Sequence, residues 1–315
     1  MNYPIKSSRS MNRYSAFNSL RSISLICIFA LTISLQYSCA ESDKKAQSDK
    51  DKKEEVEEKN SNLFEIEGKV FSVPSPIQTA FLLKEVGTEY RSSLLHNSDD
   101  VSKYNTTHSK ALILGIYGAD LGYATIYDQS QEALSYMAVS KKLTEDLGIS
   151  GIYNKELLER FENNIGNEDS LMSLVSDAFK SANRFLKDND QEDLSALILA
   201  GGWVETLHFA TQLANNNNLP AVKNRIGEQK ITIENMINLL LPHQSKPEVA
   251  KLINDLNELK DIYAGITFSY EFKEPETDPE NKRTIIKSIS SVEMTEEQLG
   301  DITDKVYAMR NRIIK

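Results

Sequence analysis

The segment Ala111 to Tyr127 (ALILGIYGADLGYATIY) is apolar on every side and carries one charge, Asp120. A helix with no polar face must be covered on all sides by neighbours, so the sequence predicts a central helix with others gathered around it. A second segment 85 residues further on repeats the pattern. Ala111-Leu112-Ile113-Leu114 returns as Ala196-Leu197-Ile198-Leu199, Asp120 falls on Glu205 and Tyr123 falls on His208. Two repeated units of several helices fit that spacing, whereas a tetratricopeptide array would repeat about every 34 residues. Chance likeness between two apolar helices is the other explanation. The same alignment sets Gly115, Gly118 and Gly122 against Ala200, Trp203 and Leu207. Ridge-and-groove packing then predicts a close crossing in which the large residues fill room left by the glycines; a ligand in that room is the competing reading.

The remaining helices are marked by caps and by apolar spacing. Ser75-Pro76-Ile77-Gln78 reads as a capping box with proline at the first helical position, opening a helix from Pro76 to about Leu95. Ser130 to Leu147 is an amphipathic partner to the central segment, stopped by Gly148. Further helices are expected at Lys155 to Asn163, Ser170 to Leu186, Asp190 to Ala214, Pro220 to Leu241 and, behind a box at Ser245 to Glu248, on to Tyr263. A last helix starts at Thr295-Glu296-Glu297-Gln298 and runs to the C-terminus. Before it, Ile266, Phe268, Tyr270 and Phe272 alternate with smaller or polar residues, and Thr284 to Val292 is rich in β-branched residues. The expectation is a β-hairpin near the C-terminus linked by Glu274 to Lys282, with a helix running through Phe272 as the alternative. Leu63 to Val73 is also strand-like and could add an edge.

The N-terminus reads as an export signal. Lys6, Arg9, Arg13 and Arg21 precede the apolar run Ser22 to Leu35, and Leu35-Gln36-Tyr37-Ser38-Cys39 follows. That run is 14 residues, shorter than the roughly 20 a membrane-crossing helix needs. With a small residue before a cysteine, the leader resembles those of bacterial lipoproteins, although Gln36 stands where a leucine is usual. The resemblance implies cleavage after residue 38, lipidation of Cys39 and attachment to a membrane of the cell envelope, the outer membrane before the inner. The mature part is similar to widespread helical lipoproteins of no assigned activity. Cys27 lies inside the leader, so the mature chain has no cysteine pair to oxidise.

Removing residues 1–38 takes away those four positive charges and no negative one, so the formal charge falls from −10 to −14. Such a surface repels phosphate backbones, which argues against nucleic-acid binding. Residues 39–62 join the lipidated cysteine to a charged segment with eight acids and six lysines. It buries too little apolar surface to order itself and acts as a flexible tether. Residues 63–315 are expected to form one helical domain.

Asp120 and Glu205 are the most informative polar residues, because an acid inside a buried helix must be paired, hydrogen-bonded or protonated. Glu205 and His208 also have the Glu-x-x-His spacing of di-iron carboxylate bundles, but the equivalent pair is Asp120 and Tyr123, and tyrosine serves poorly in that role. These four are the candidate ligand-binding residues, with a structural polar network as the other reading. No catalytic or metal residue is expected, and no cofactor. His96, His108 and His243 read as solvated or capping residues, and Tyr117, Tyr123, Tyr127 and Tyr136 as core residues whose hydroxyls reach partners such as Asp120. No nucleophile elbow, phosphate loop, dinucleotide fingerprint or zinc helix occurs. The sequence therefore points to a mainly α, multi-helix bundle that is membrane-anchored and binds an envelope protein or small ligand. A metal-dependent bundle oxidoreductase and a structural subunit of an envelope assembly are the alternatives.

Overall fold

In the computed structural model, residues 63–66, 69–72, 76–149, 155–164, scattered positions between 167 and 189, 191–214, 219–278 and 283–315 are described. The leader, Cys39 and the tether lie outside them. Contacts group Ser61–Lys315 into one unit. It is mainly helical, with α1 Pro76–Glu85, α2 Thr107–Ile126, α3 Ser130–Asp146, α4 Lys155–Asn163, α5 Glu192–Ala214, α6 Pro220–Gly227, α7 Gln229–Leu240, α8 Pro247–Tyr263 and α9 Glu296–Ile313. Leu174, Ala178 and Leu186, between α4 and α5, are buried helical positions. No helix among the described residues is long and apolar enough to cross a membrane.

The two like segments are the two central helices. α2 and α5 form the most extensive helix pair, and both are buried along nearly their whole length. Their contacts pair Leu112 with Gly201, Gly115 with Ile198 and Gly202, and Tyr123 with Phe209. The numbering offset is nearly constant along these pairs, so the helices run side by side in the same direction. Parallel neighbours need a long connection, supplied here by α3, α4 and the chain that follows.

The crossing is closer than large-into-small packing would make it. A Cβ on Gly115 would overlap the carbonyl of Ile198, and one on Gly201 would overlap the carbonyl of Leu112. Glycine therefore meets backbone. Gly122 is covered by Ile77 of α1, and Trp203 turns its indole N–H to Gln229 at the start of α7, 2.9 Å away.

Several helix ends differ from the sequence expectation for local reasons. α1 stops at Glu85 because Gly87 takes φ +83°, and the N–H groups of Gly87 and Thr88 return to the carbonyls of Lys84 and Leu83. This Schellman closure leaves Thr88 to Leu95 outside the helix. α2 starts earlier than its apolar run, behind a reciprocal Thr106 and Ser109 cap. α8 is capped at Lys246, one residue later than the box places it, with Pro247 in the first turn and no side-chain hydrogen bond from the cap residue. The run from Pro220 breaks at Glu228 into α6 and α7. Gly148 ends α3 at φ +75° and α9 opens behind Thr295, both as expected, and Thr295 and Gln298 form a reciprocal cap there.

The C-terminal hairpin is present. β3 Thr267–Glu271 pairs antiparallel with β6 Ile289–Glu293, and β4 Glu276–Asp278 with β5 Arg283–Ile285. The ladder thus reaches into the stretch expected to be a plain linker. β1 Leu63–Ile66 and β2 Lys69–Ser72 form their own two-stranded hairpin instead of adding an edge to another sheet.

Candidate functional site

Asp120 and Glu205 stand side by side at the centre of the bundle, both fully buried. Their carboxyl groups are within hydrogen-bonding reach of one another. Arg310 of α9 closes on Glu205 from the other side, with Nε to Oε2 at 2.5 Å and a terminal nitrogen to Oε1 at 2.6 Å. The same terminal nitrogen donates to the carbonyl of Leu94 at 3.1 Å. Asp120 accepts the His96 backbone N–H on Oδ2 at 3.3 Å, while Oδ1 has no donor.

These bonds show what the cluster serves. Residues 91–97 cross the bundle without the regular ladder of a long helix, so buried backbone groups there need side-chain partners. Arg310 takes Leu94 O, Asp120 takes His96 N–H, Tyr136 donates to His96 O at 3.0 Å and Tyr117 to Asn97 O at 2.8 Å. The Tyr123 hydroxyl accepts the Arg91 N–H, and Tyr127 pairs with Thr88. Tyr117, Tyr123 and Tyr136 thus bind this segment, Tyr127 binds Thr88 just before it, and none of these hydroxyls bonds to Asp120. His96 is a core residue, neither solvated nor capping: its ring stacks on Tyr117 and its Nε2 lies 2.7 Å from the Tyr104 hydroxyl, which donates to Ile314 O.

Burial raises the Asp120 pKa well above the usual carboxylate range, and the neighbouring Glu205 charge adds to it. Burial raises Glu205 as well, against the pull of Arg310. Burial lowers His96 to about 4 and His208 to about 3, with Arg310 contributing to both.

The four residues singled out by sequence are not brought into one open site. Tyr123 packs on Phe209, Tyr127 and Tyr90. His208 lies one turn from Glu205, facing Phe209 and Tyr307, with Nδ1 unpartnered. Both Glu205 oxygens are taken by Arg310, and among the described residues no group of three or more His, Cys, Asp or Glu converges as a metal site. A cleft of about 160 Å³ between α2, α8 and α9 is lined by Ser109, Glu248, Lys251, Asp255 and Arg312, away from the acid pair. Within it, Asp255 is paired with Arg312 and Lys305.

Arg310 is the residue that sequence reasoning missed. It lies in the buried stripe Leu299, Ile302, Thr303, Val306, Met309 and Arg310 of α9. A cation on an apolar face was the available signal, and it called for a buried acid. No family model, curated protein or solved structure matches this chain.

Proposed function

We propose that the chain is a bacterial lipoprotein precursor whose mature helical domain, tethered through Cys39 to the cell envelope, is a non-catalytic module that binds another protein. The reading rests for its anchor on the leader, and for its mode of action on the C-terminal hairpin. Phe268, Tyr270 and Phe272 are 45, 67 and 68 % exposed. Phe268 and Tyr270 share a face with Val292 and Ser290 of the opposite strand. Val292 packs against Gly227 at the base, which roots the hairpin on α6.

The other edge of β3 pairs with no strand among the described residues. An edge of unpaired N–H and C=O groups beside an aromatic row suits an extended segment of a partner protein, held by main-chain bonds with side chains on the aromatic face. The mature charge of −14 disfavours nucleic acid and anionic lipid as the occupant.

A photo-crosslinking side chain at Tyr270, introduced in the protein's own cells, tests this. The expected result is a discrete protein adduct, lost when Phe268→Asp is added and absent when the crosslinker sits at Ile231, an exposed residue of α7. Equal adducts from both positions, or none from Tyr270, would remove the support for the hairpin as a contact element. Metabolic labelling with palmitate, abolished by Cys39→Ser, tests the anchor separately.

A further inference from the structure

The donors around the acid pair can be counted. Arg310 gives Nε and a terminal nitrogen to Glu205, and that terminal nitrogen also reaches Leu94 O. The His96 N–H goes to Asp120 Oδ2. The Tyr117 and Tyr136 hydroxyls donate to the backbone of Asn97 and His96, and the buried Tyr90 hydroxyl, near Glu132, makes no hydrogen bond to either acid. Asp120 Oδ1 is left with no donor, and its carboxyl group has that of Glu205 as a neighbour. Two ionised acids against one guanidinium would also leave a net negative charge fully buried, which is costly.

We infer that the core contains a proton-binding site: Asp120 remains protonated at neutral pH and donates its O–H to the Glu205 carboxylate that Arg310 holds from the opposite side. The proton fills the missing donor and makes the cluster neutral. It thereby ties α2, α5, α9 and segment 91–97 together. The titratable groups around it are Tyr90, His96, Tyr117, Tyr136, Glu205 and Arg310. Of these, only the two acids and His96 change charge in the range from acid to neutral pH, and burial, by lowering His96 to about 4, keeps it uncharged near neutral pH.

The site has a thermodynamic signature with a definite sign. An unfolded aspartate titrates near about 3.9. With the folded group raised, the folded state binds more protons above that pH, and stability falls as pH rises toward the folded pKa. At pH 8 His96 and His208 are neutral in both states, so they do not contribute.

The test is proton release on denaturant unfolding of the full-length chain at pH 8 in weak buffer, with infrared detection of a protonated carboxyl in the folded protein. The wild type is expected to release about one proton per chain and to show the carboxyl band. Asp120→Asn, whose amide can donate in the same direction, is expected to lose both while remaining folded by circular dichroism. No release and no band in the wild type would overturn the inference, as would release that persists in folded Asp120→Asn. Should that variant fail to fold, the two wild-type readings decide the matter.

Discussion

Arg310, near the end of the last helix, grips both carboxylate oxygens of Glu205, a residue in the middle of the bundle, at 2.5 and 2.6 Å. The two are 105 positions apart in the chain. Breaking a buried pair by removing one partner leaves the other charge without compensation, at a cost of about 3–5 kcal/mol. Glu205→Gln and Arg310→Met are each expected to destabilise the domain by that amount in urea unfolding. Arg310→Lys should rescue little, because a single ammonium cannot reproduce the planar fork. A loss under about 1 kcal/mol for either truncation would mean that the pair is solvated and not buried.

The glycines separate into two kinds. A Cβ on Gly115 or Gly201 would overlap backbone, whereas one on Gly300 in α9 meets nothing within 4 Å. Gly115→Ala is therefore expected to cost at least about 1–3 kcal/mol. Gly300→Ala should stabilise by about 0.5–1 kcal/mol through helix propensity. Thermal unfolding of the two variants checks the contrast, and similar shifts would contradict the backbone-to-backbone crossing.

Two histidines set the acid arm of stability. His208 is held at about 3 and His96 at about 4 by burial, so protonation favours the unfolded state, where histidine titrates near 6.5. Their contribution is present above about pH 6.5 and is lost as pH falls toward their folded values. His208→Leu also removes an unpartnered buried Nδ1, so little loss is expected at pH 7. Between pH 6 and 4 the variant should lose less stability than the wild type, the difference approaching about 1.4 kcal/mol per pH unit. Parallel stability curves would contradict the burial of His208.

The hairpin aromatics should matter little to stability. Tyr270→Ala and Phe272→Ala remove exposed side chains and are expected to change unfolding free energy by no more than about 0.5 kcal/mol. Ile266→Ala, at the buried root of β3, should cost about 2–5 kcal/mol. Comparable losses at all three positions would make the aromatic row part of the core and leave it unfit as a contact surface.

The central helices were legible because burial on every side leaves a pattern with no polar face, and Asp120 and Glu205 stood out against it. The hairpin was legible in the alternation from Ile266 to Phe272. Less legible was anything that depends on which groups meet across the fold. Arg310 carried a local signal, a cation in an apolar stripe, but its partner is on another helix. The early end of α1 follows from one left-handed glycine within a continuous apolar spacing. The tyrosines were read as core residues whose hydroxyls reach partners such as Asp120, yet Tyr117, Tyr123 and Tyr136 satisfy the backbone of segment 91–97, whose path across the bundle no periodicity announces. Glycine meeting backbone at the α2 and α5 crossing depends on relative rotation of two helices, which an alignment of their sequences does not specify.

We propose that the buried acids support the architecture of the bundle. This is tested most directly by native mass spectrometry of the full-length protein, purified gently from its own host, beside Asp120→Asn. Both are expected to carry the same attached masses, with no adduct that depends on Asp120. A metal or small-molecule mass present in the wild type and lost in the folded variant would contradict it and make the acid pair a binding site.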